Sequence, residues 1–157
     1  MQLLEEYLDS ILEQVHPLTP IELPIEEALD HVLACDLEAR MAVPPFSNSG
    51  MDGFAIYLDD DYEASPEAPL TLPVAGDIAA GDNTDHVLEP GSAWRIMTGA
   101  RVPKGANTVV PVEDTSEEPG PHPLPKSISI FAPIKVGAHV RAQGEDCSPG
   151  DTVLRAG

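Results

Sequence analysis

A turn-rich stretch between residues 44 and 55 carries the first side chains that could do chemistry. It places Asn48, Ser49 and Asp52 among glycines, so that backbone N–H groups and one carboxylate are exposed together. Such a turn can hold a hydrated cation or a polar ligand. The pattern is also typical of an Asx-turn, in which Asp52 accepts hydrogen bonds from its own backbone, and both interpretations stay open.

A second candidate site follows the strand predicted at Trp94–Met97. Thr98 and Gly99 place a hydroxyl and free N–H groups at the end of this strand, and Arg101 follows closely. A hydroxyl, N–H groups and a nearby cation can together bind an anion. An ordinary strand-to-loop turn explains the same residues, so anion binding is one of two interpretations.

Acidic residues at two further positions add oxygen ligands. Glu113 ends the next predicted strand, and Asp146 lies in a turn flanked by glycines. Carboxylate oxygens suit Mg²⁺ better than zinc, so we predict that Asp52, Asp146 and Glu113 are metal ligands for Mg²⁺. The alternatives are a solvated surface at Glu113 and a turn at Asp146 that is capped by Asp151 or Ser148.

Several other chemistries have no visible basis in the sequence. The 5 histidines show neither HxH nor HExxH spacing, which argues against a zinc site. No GxSxG, Walker A or GxGxxG motif is present. Cys35 and Cys147 form no CxxC pair, and this favours two reduced thiols in a cytosolic protein.

The charge of the chain restricts its partners. The 157 residues contain 8 Lys and Arg against 27 Asp and Glu, which gives a formal net charge of −19. Such a chain repels phosphate backbones and anionic bilayers, so we expect no nucleic-acid binding and no membrane association. The sequence has no apolar run typical of a leader or a membrane span, and we expect a cytoplasmic location.

The elements that must position these residues follow from hydropathy and proline content. An apolar stripe between residues 3 and 15 predicts an amphipathic helix, and a second helix is predicted to begin at Pro24. The 17 prolines, roughly twice the usual share, favour short strands and turns beyond these helices. We predict an α+β fold with N-terminal helices and an elongated flank, into which a small, mainly β domain of barrel or sandwich type is inserted.

Four stretches of the sequence, taken together, resemble one protein family. They are EEAL and VLA in residues 26–34, VPPFSNSGMDGFA in residues 43–55, RIMTGA in residues 95–100, and VR, GED and GD in residues 140–151. Over almost its whole length, the chain resembles the N-terminal part of the molybdopterin molybdenumtransferase family, which is of MoeA type and includes the gephyrin E domain.

The resemblance implies an enzyme of molybdenum cofactor biosynthesis. Members of this family insert molybdate into adenylylated molybdopterin, release AMP and require Mg²⁺. Their functional Asp, Thr and Asp match Asp52, Thr98 and Asp146, which are therefore expected to be catalytic. Asp52 and Asp146 would orient Mg²⁺ and the attacked phosphate, while Thr98 would donate a hydrogen bond to an anionic oxygen. The residues expected to contact substrate are Asn48, Ser49, Gly99 and Arg101.

The resemblance also suggests a domain organisation. It implies an amphipathic helix in residues 1–20, a discontinuous flanking domain in residues 21–45 and 144–157, and an inserted mainly β domain in residues 46–143. Family members are much longer and continue into a pterin-binding α/β domain and a C-terminal β-barrel, which are absent here. Their cleft forms within a homodimer, so we expect this chain to supply one wall and to be inactive alone. The apolar stripe of the first helix should then be exposed, or buried against another molecule.

Two other functions remain open on the sequence alone. The chain could be a non-catalytic dimerisation or scaffold module of the same family. It could also be an unrelated Mg²⁺-dependent phosphohydrolase built from the same carboxylates, which is the weaker alternative. Phosphatase activity of the isolated chain would distinguish the latter from the molybdate-inserting enzyme.

Overall fold

The computed structural model describes residues 4–16 and 18–157. The start of the predicted first helix and a proline predicted to end it lie outside the described residues. The helices are α1 (Leu4–Leu12) and two single 3-10 turns, Ile25–Glu27 and Val112–Asp114. The strands are β1 (Leu37–Glu38), β2 (Asn48–Ser49), β3 (Gly53–Ile56), β4 (Leu70–Ile78), β5 (Ala93–Ile96), β6 (Thr108–Pro111), β7 (Ser127–Ile130), β8 (Val140–Arg141) and β9 (Thr152–Leu154).

The first helix forms, and its apolar stripe is exposed. Tyr7, Leu8 and Leu12 expose 56%, 52% and 57% of their surface, and α1 buries none of its residues. Exposure is one of the two outcomes expected from the sequence. Among the described residues, no helix is both long and apolar enough to cross a bilayer.

The second predicted helix is wrong. The segment after Pro24 forms only the 3-10 turn Ile25–Glu27, and Asp30 then adopts a φ of 65°, which ends any right-handed helix. Ile25 and Leu29 are exposed, so the apolar face lacks the burial that normally stabilises a short helix. Over residues 4–16 and 18–157 the fold is therefore mostly sheet with one α-helix, and the predicted α+β description with N-terminal helices does not match it.

The chain divides into two compact units. One comprises Met1–Leu37 with Thr152–Gly157, and the other comprises Glu38–Asp151. In the first unit, the Gly157 N–H donates to the Leu33 carbonyl at 3.2 Å, which ties its two segments together. The domain limits inferred from the sequence, including 46–143 for the inserted domain, stay a prediction.

The second unit is built on a five-stranded sheet that curls into a half-barrel, which confirms the prediction of a mainly β structure there. The strand order is β6-β3-β5-β4-β7, and the neighbours are antiparallel except for the parallel pair β4 and β5. Strand β3, which lies between β6 and β5, is buried throughout, because successive side chains point to opposite faces that are both covered. Phe54 and Ile56 join one buried cluster, and Ala55 joins the other.

Candidate functional site

Strand pairing brings Asp52 and Thr98 together. Asp52 directly precedes β3, and Thr98 follows the end of β5 by two residues. Because these strands are antiparallel, with Gly53 opposite Ile96, the start of one lies beside the end of the other. The Thr98 backbone N–H donates to Asp52 Oδ1 at 2.6 Å, and the Thr98 hydroxyl donates to the same oxygen at 2.8 Å. Two loops predicted separately thus form one site.

These hydrogen bonds hold Asp52 as an anion. The Thr98 backbone N–H, followed by the Thr98 hydroxyl, lowers the pKa of Asp52 below its usual range. Oδ1 receives both bonds, and within the described part of the chain Oδ2 has no hydrogen-bond partner. Since Asp52 is also exposed, Oδ2 is free to bind a cation or a donor from a ligand.

Ser49, expected to contact substrate, is completely buried instead. Its hydroxyl donates to the Met51 carbonyl at 2.5 Å and accepts the Met51 N–H at 3.2 Å. Its backbone carbonyl accepts the Gly99 N–H at 2.8 Å, and its N–H donates to the Ala100 carbonyl at 3.0 Å. Ser49 therefore joins the Asp52 loop to the Thr98 loop and fixes their separation.

Asn48, Gly99 and Arg101 surround this junction. Asn48 is buried, its side-chain amide donates to the Phe46 carbonyl at 3.3 Å, and its backbone forms a bridge to Arg101. Gly99 has a φ of +79°, a left-handed conformation that glycine adopts at little cost. The guanidinium carbon of Arg101 lies 4.2 Å from the centroid of the Phe46 ring. Of the four predicted substrate contacts, Gly99 and Arg101 have accessible positions, whereas Asn48 and Ser49 belong to the framework.

A cavity of about 280 Å³ opens beside Asp52. Asp52 and Glu113 both line it, so the structure brings two of the three predicted metal ligands to one cavity. Apolar residues also line it, namely Phe54, Ile96, Met97 and Val112. Further lining residues come from the acidic and proline-rich segment 117–122.

Arg95 fixes this segment against the sheet. Its Nε and one terminal nitrogen donate to the two carboxylate oxygens of Asp77 at 3.0 and 2.6 Å, and the other terminal nitrogen donates to the His122 carbonyl at 2.8 Å. The Arg95 hydrogen bonds lower the pKa of Asp77, so the pair stays ionised. Sequence reasoning missed this pair, because it depends on the parallel register that sets Asp77 opposite Arg95.

Asp146 lies apart from this cavity. Its N–H donates to the Val43 carbonyl at 2.9 Å, and its carboxylate is exposed and does not line the cavity with Asp52. In the same turn, Asp151 Oδ2 accepts the Ser148 N–H at 2.7 Å, which is the capped turn weighed as the structural alternative. Asp146 remains available as a ligand, but this chain does not place it in the cavity that Asp52 lines.

The described residues contain no group of three or more His, Cys, Asp or Glu side chains arranged to hold a metal. The three predicted carboxylates therefore do not form a closed, protein-only cage within residues 4–16 and 18–157. Mg²⁺ does not need such a cage, because proteins commonly hold it with one or two carboxylates together with substrate phosphates and water. Asp52 and Glu113, which line one cavity, are as many carboxylates as this mode of binding uses.

Gly53 is a second position that sequence reasoning did not single out. A Cβ atom there would lie 1.9 Å from the Val110 carbonyl oxygen on β6, so only glycine allows this approach. The residue directly follows Asp52 and therefore sets where the carboxylate leaves the sheet. In the sequence, the position of Gly53 directly after Asp52 in the MDGFA stretch was the feature that could have pointed to this role.

Comparison with known proteins identifies the class to which this fold and site belong. The model of the MoeA N-terminal region, which comprises domains I and II, matches residues 3–157. The chain belongs to this family, and the resemblance inferred from its four stretches is confirmed.

Individual relatives agree with this assignment. The chain is 40% identical over its 157 residues to molybdopterin molybdenumtransferase 2 of Mycobacterium tuberculosis and covers 37% of that protein. It is 39% identical over 142 residues to the molybdopterin molybdenumtransferase of Synechococcus elongatus, covering 90% of this chain and 34% of the relative. The molybdopterin biosynthesis MoeA protein of Pyrococcus horikoshii superimposes with a TM-score of 0.75 at 33% identity, over 86% of this chain and 34% of that one. The chain thus spans about a third of the length of these relatives.

Proposed function

We propose that this chain forms one wall of a site that inserts molybdate into adenylylated molybdopterin with release of AMP. The observation that carries the proposal is the Asp52–Thr98 pair at the edge of a cavity, in a chain of the MoeA N-terminal family. Since the chain spans about a third of its relatives, the activity is proposed for a protein of family length that carries it. The chain alone is expected to be inactive.

Asp52 supplies the principal ligand in this proposal. Its Oδ1 accepts both hydrogen bonds from Thr98, and because the residue is exposed, its Oδ2 would be available to a cation that enters the site. Asp52 and Glu113 would hold Mg²⁺ together with phosphate oxygens of the substrate, and Asp146 is proposed as a further carboxylate for the metal or the attacked phosphate. Bound Mg²⁺ neutralises charge on the phosphate that is attacked.

Thr98 acts first through Asp52. Both of its donors are directed to Oδ1, so its hydroxyl cannot at the same time donate to an anionic oxygen of the substrate. If the hydroxyl turns to such an oxygen, the backbone N–H still holds Asp52 at 2.6 Å. We therefore propose Thr98 as the residue that orients Asp52, with a hydrogen bond to the substrate as its second role. Gly99 and Arg101 are the accessible substrate contacts.

A homodimer in the cytoplasm completes the proposal. The exposed apolar face of α1 supports an assembly role, since a contiguous apolar face in water usually marks a contact surface. The same observation favours the second candidate function, a non-catalytic dimerisation module of this family. The two functions differ in what the site residues do, because a scaffold has no need of Asp52.

Molybdate insertion by the family-length protein tests the proposal. The assay measures AMP release and cofactor formation from adenylylated molybdopterin, with and without Mg²⁺. We expect turnover that requires Mg²⁺, is lost in Asp52→Asn and is retained in Asp60→Asn, which removes an exposed carboxylate outside the cavity. Full activity of Asp52→Asn would favour the scaffold, and phosphatase activity of the isolated chain would favour the phosphohydrolase.

A further inference from the structure

Two of the few cations in this acidic chain meet in a second cavity. This cavity has a volume of about 200 Å³ and shares no lining residue with the cavity beside Asp52. Arg101, Lys104 and His86 line it, together with the hydroxyl residues Ser47 and Thr84. Among the described residues that line it, Asp85 is the single carboxylate. Since the chain has 8 Lys and Arg against 27 Asp and Glu, this is a local reversal of its charge balance.

Arg101 is oriented but has no ionic partner. Its guanidinium carbon lies 4.2 Å from the Phe46 ring centroid, a stacking contact that leaves the N–H groups along its edge free to donate. In the described part of the chain, no carboxylate oxygen lies within ion-pair distance of it. Arg95 provides the contrast, because Asp77 fills its donor fork.

Backbone hydrogen bonds position Lys104 and His86 on the cavity wall. The Lys104 N–H donates to the His86 carbonyl at 2.9 Å, and the Leu88 N–H donates to the Lys104 carbonyl at 2.8 Å. The His86 ring forms a hydrogen bond with Asp82 at 2.8 Å and packs against Trp94 with a centroid distance of 4.6 Å and an interplanar angle of 41°. These bonds keep Lys104 and His86 side by side on the cavity wall.

Asp85 occupies the place that an external anion would take. Lys104 Nζ lies 2.9 Å from Asp85 Oδ2, and the side chains are 68% and 67% exposed. Ion pairs this exposed are weak, because water and salt screen them, so another anion can displace the carboxylate. Ser47 Oγ accepts the Gln143 N–H at 3.2 Å, which leaves its own O–H free to donate.

We propose that this cavity is a binding site for a tetrahedral oxyanion, either a phosphate group or molybdate. The Arg101 fork and the Lys104 ammonium would hold two or more of its oxygens, the Ser47 hydroxyl would donate to another, and Asp85 would move aside. The cavity volume of about 200 Å³ accommodates such an anion. Arg101 is shared with the proposed function, where it is a substrate contact, whereas Asp52 and Thr98 take no part in this site.

Calorimetric titration of the 157-residue chain at constant ionic strength tests this site. Inorganic phosphate and molybdate are the two probes, and chloride is the control. We expect saturable binding of at least one oxyanion at one site, weakened about tenfold or more in Arg101→Gln, because hydrogen bonds to charged groups are lost. Arg101→Lys keeps the charge without the fork and should give an intermediate affinity. Asp85→Asn removes the internal competitor and should tighten binding.

Lys126→Gln is the matched control, because it removes one positive charge outside the cavity. It should leave the affinity within about twofold of the unmodified chain, since a distant exposed charge is screened. Binding of phosphate alone, of molybdate alone or of both supports the site, and the comparison of the two affinities shows which oxyanion it prefers. Absence of saturable binding, or equal weakening by Arg101→Gln and Lys126→Gln, would overturn it. Such a failure would remove the support for Arg101 as an anion contact, but it would not decide the proposed function, which rests on Asp52 and Thr98 and is measured by turnover.

Discussion

At the scale of single residues, the site depends on one carboxylate whose two oxygens have different surroundings. Oδ1 of Asp52 accepts two hydrogen bonds from Thr98, which lies 46 positions away in the chain, while Oδ2 is open. The bonded oxygen fixes the orientation of the group, and in the proposed function the free oxygen would bind the metal. Such an arrangement suits a metal-binding carboxylate, because a carboxylate that rotates freely loses more conformational entropy when it binds a metal.

Asp52 should also make stability depend on pH. Its pKa is lowered in the folded chain, so its contribution is present above the unfolded pKa of roughly 3.9 and is lost as the pH falls through the folded value. Asp52→Asn should therefore lower the free energy of unfolding at pH 7, by less than about 1 kcal/mol because the group is exposed. Urea denaturation at pH 7 and at pH 3 measures this.

The difference between the variant and the unmodified chain should be smaller at the lower pH, since protonation of Asp52 in the unfolded chain removes part of the contribution of its lowered pKa. Asp60→Asn is the control, and it should show a smaller difference at both values. A difference for Asp52→Asn that grows on acidification would contradict the assigned hydrogen bonds.

At the scale of elements, the antiparallel pair β3 and β5 builds the site. Their register sets Gly53 opposite Ile96 and so brings the two functional loops to one end of the sheet. Gly53 also lies against β6, where a Cβ atom would meet the Val110 carbonyl oxygen at 1.9 Å. Gly53 thus determines both how closely β3 and β6 approach each other and where the Asp52 side chain leaves the sheet.

Gly53→Ala should accordingly destabilise the chain. The added methyl group must push β3 away from β6, and overpacking of this kind typically costs about 1–3 kcal/mol or more. Chemical denaturation measures the change, and Gly50→Ala is the matched control, since the nearest atom to a Cβ there is the His139 carbonyl oxygen at 3.3 Å. Equal stability of the two variants would show that the β3–β6 approach is looser than described.

At the scale of the whole molecule, the chain combines a strongly acidic surface with an apolar helix face in water. The net charge of −19 opposes association, whereas the exposed face of α1 favours it. Which of these effects is larger decides the oligomeric state. Since burial of an apolar side chain is worth about 1.5–3 kcal/mol, several such residues can outweigh charges that salt screens.

We expect the chain to self-associate through α1 at moderate salt concentration. Leu8→Glu places a charge in the apolar face and should shift the chain to monomer, whereas Gln14→Glu adds the same charge at an exposed polar position and should not. Light scattering across a range of concentrations gives the molar mass. A strictly monomeric chain that binds no hydrophobic dye would contradict an assembly role for this face.

The sequence predicted the local features of this molecule better than its long-range ones. The glycine-bearing loops, the first helix and the mainly β middle could be anticipated, because turn residues and hydrophobic periodicity act over a few positions. The Asp52–Thr98 and Arg95–Asp77 pairs could not, since each depends on strand register that no local pattern encodes. The second helix was predicted from an apolar face, but Asp30 adopts a positive φ that a right-handed helix does not allow, and Leu29 remains exposed.

A double-mutant cycle on molybdate insertion in the family-length protein, with Asp52→Asn, Thr98→Val and the double variant, tests the proposed roles of these two residues. Loss of the carboxylate should lower kcat/KM by about 10²-fold or more, as for other groups that stabilise developing charge. Thr98→Val removes the hydroxyl but keeps the N–H, and it should cost about tenfold. If Thr98 acts through Asp52, the double variant should be little worse than Asp52→Asn alone. Unchanged kcat/KM in Asp52→Asn would contradict the role of Asp52, and effects of the two substitutions that simply multiply would contradict the proposal that Thr98 acts through Asp52.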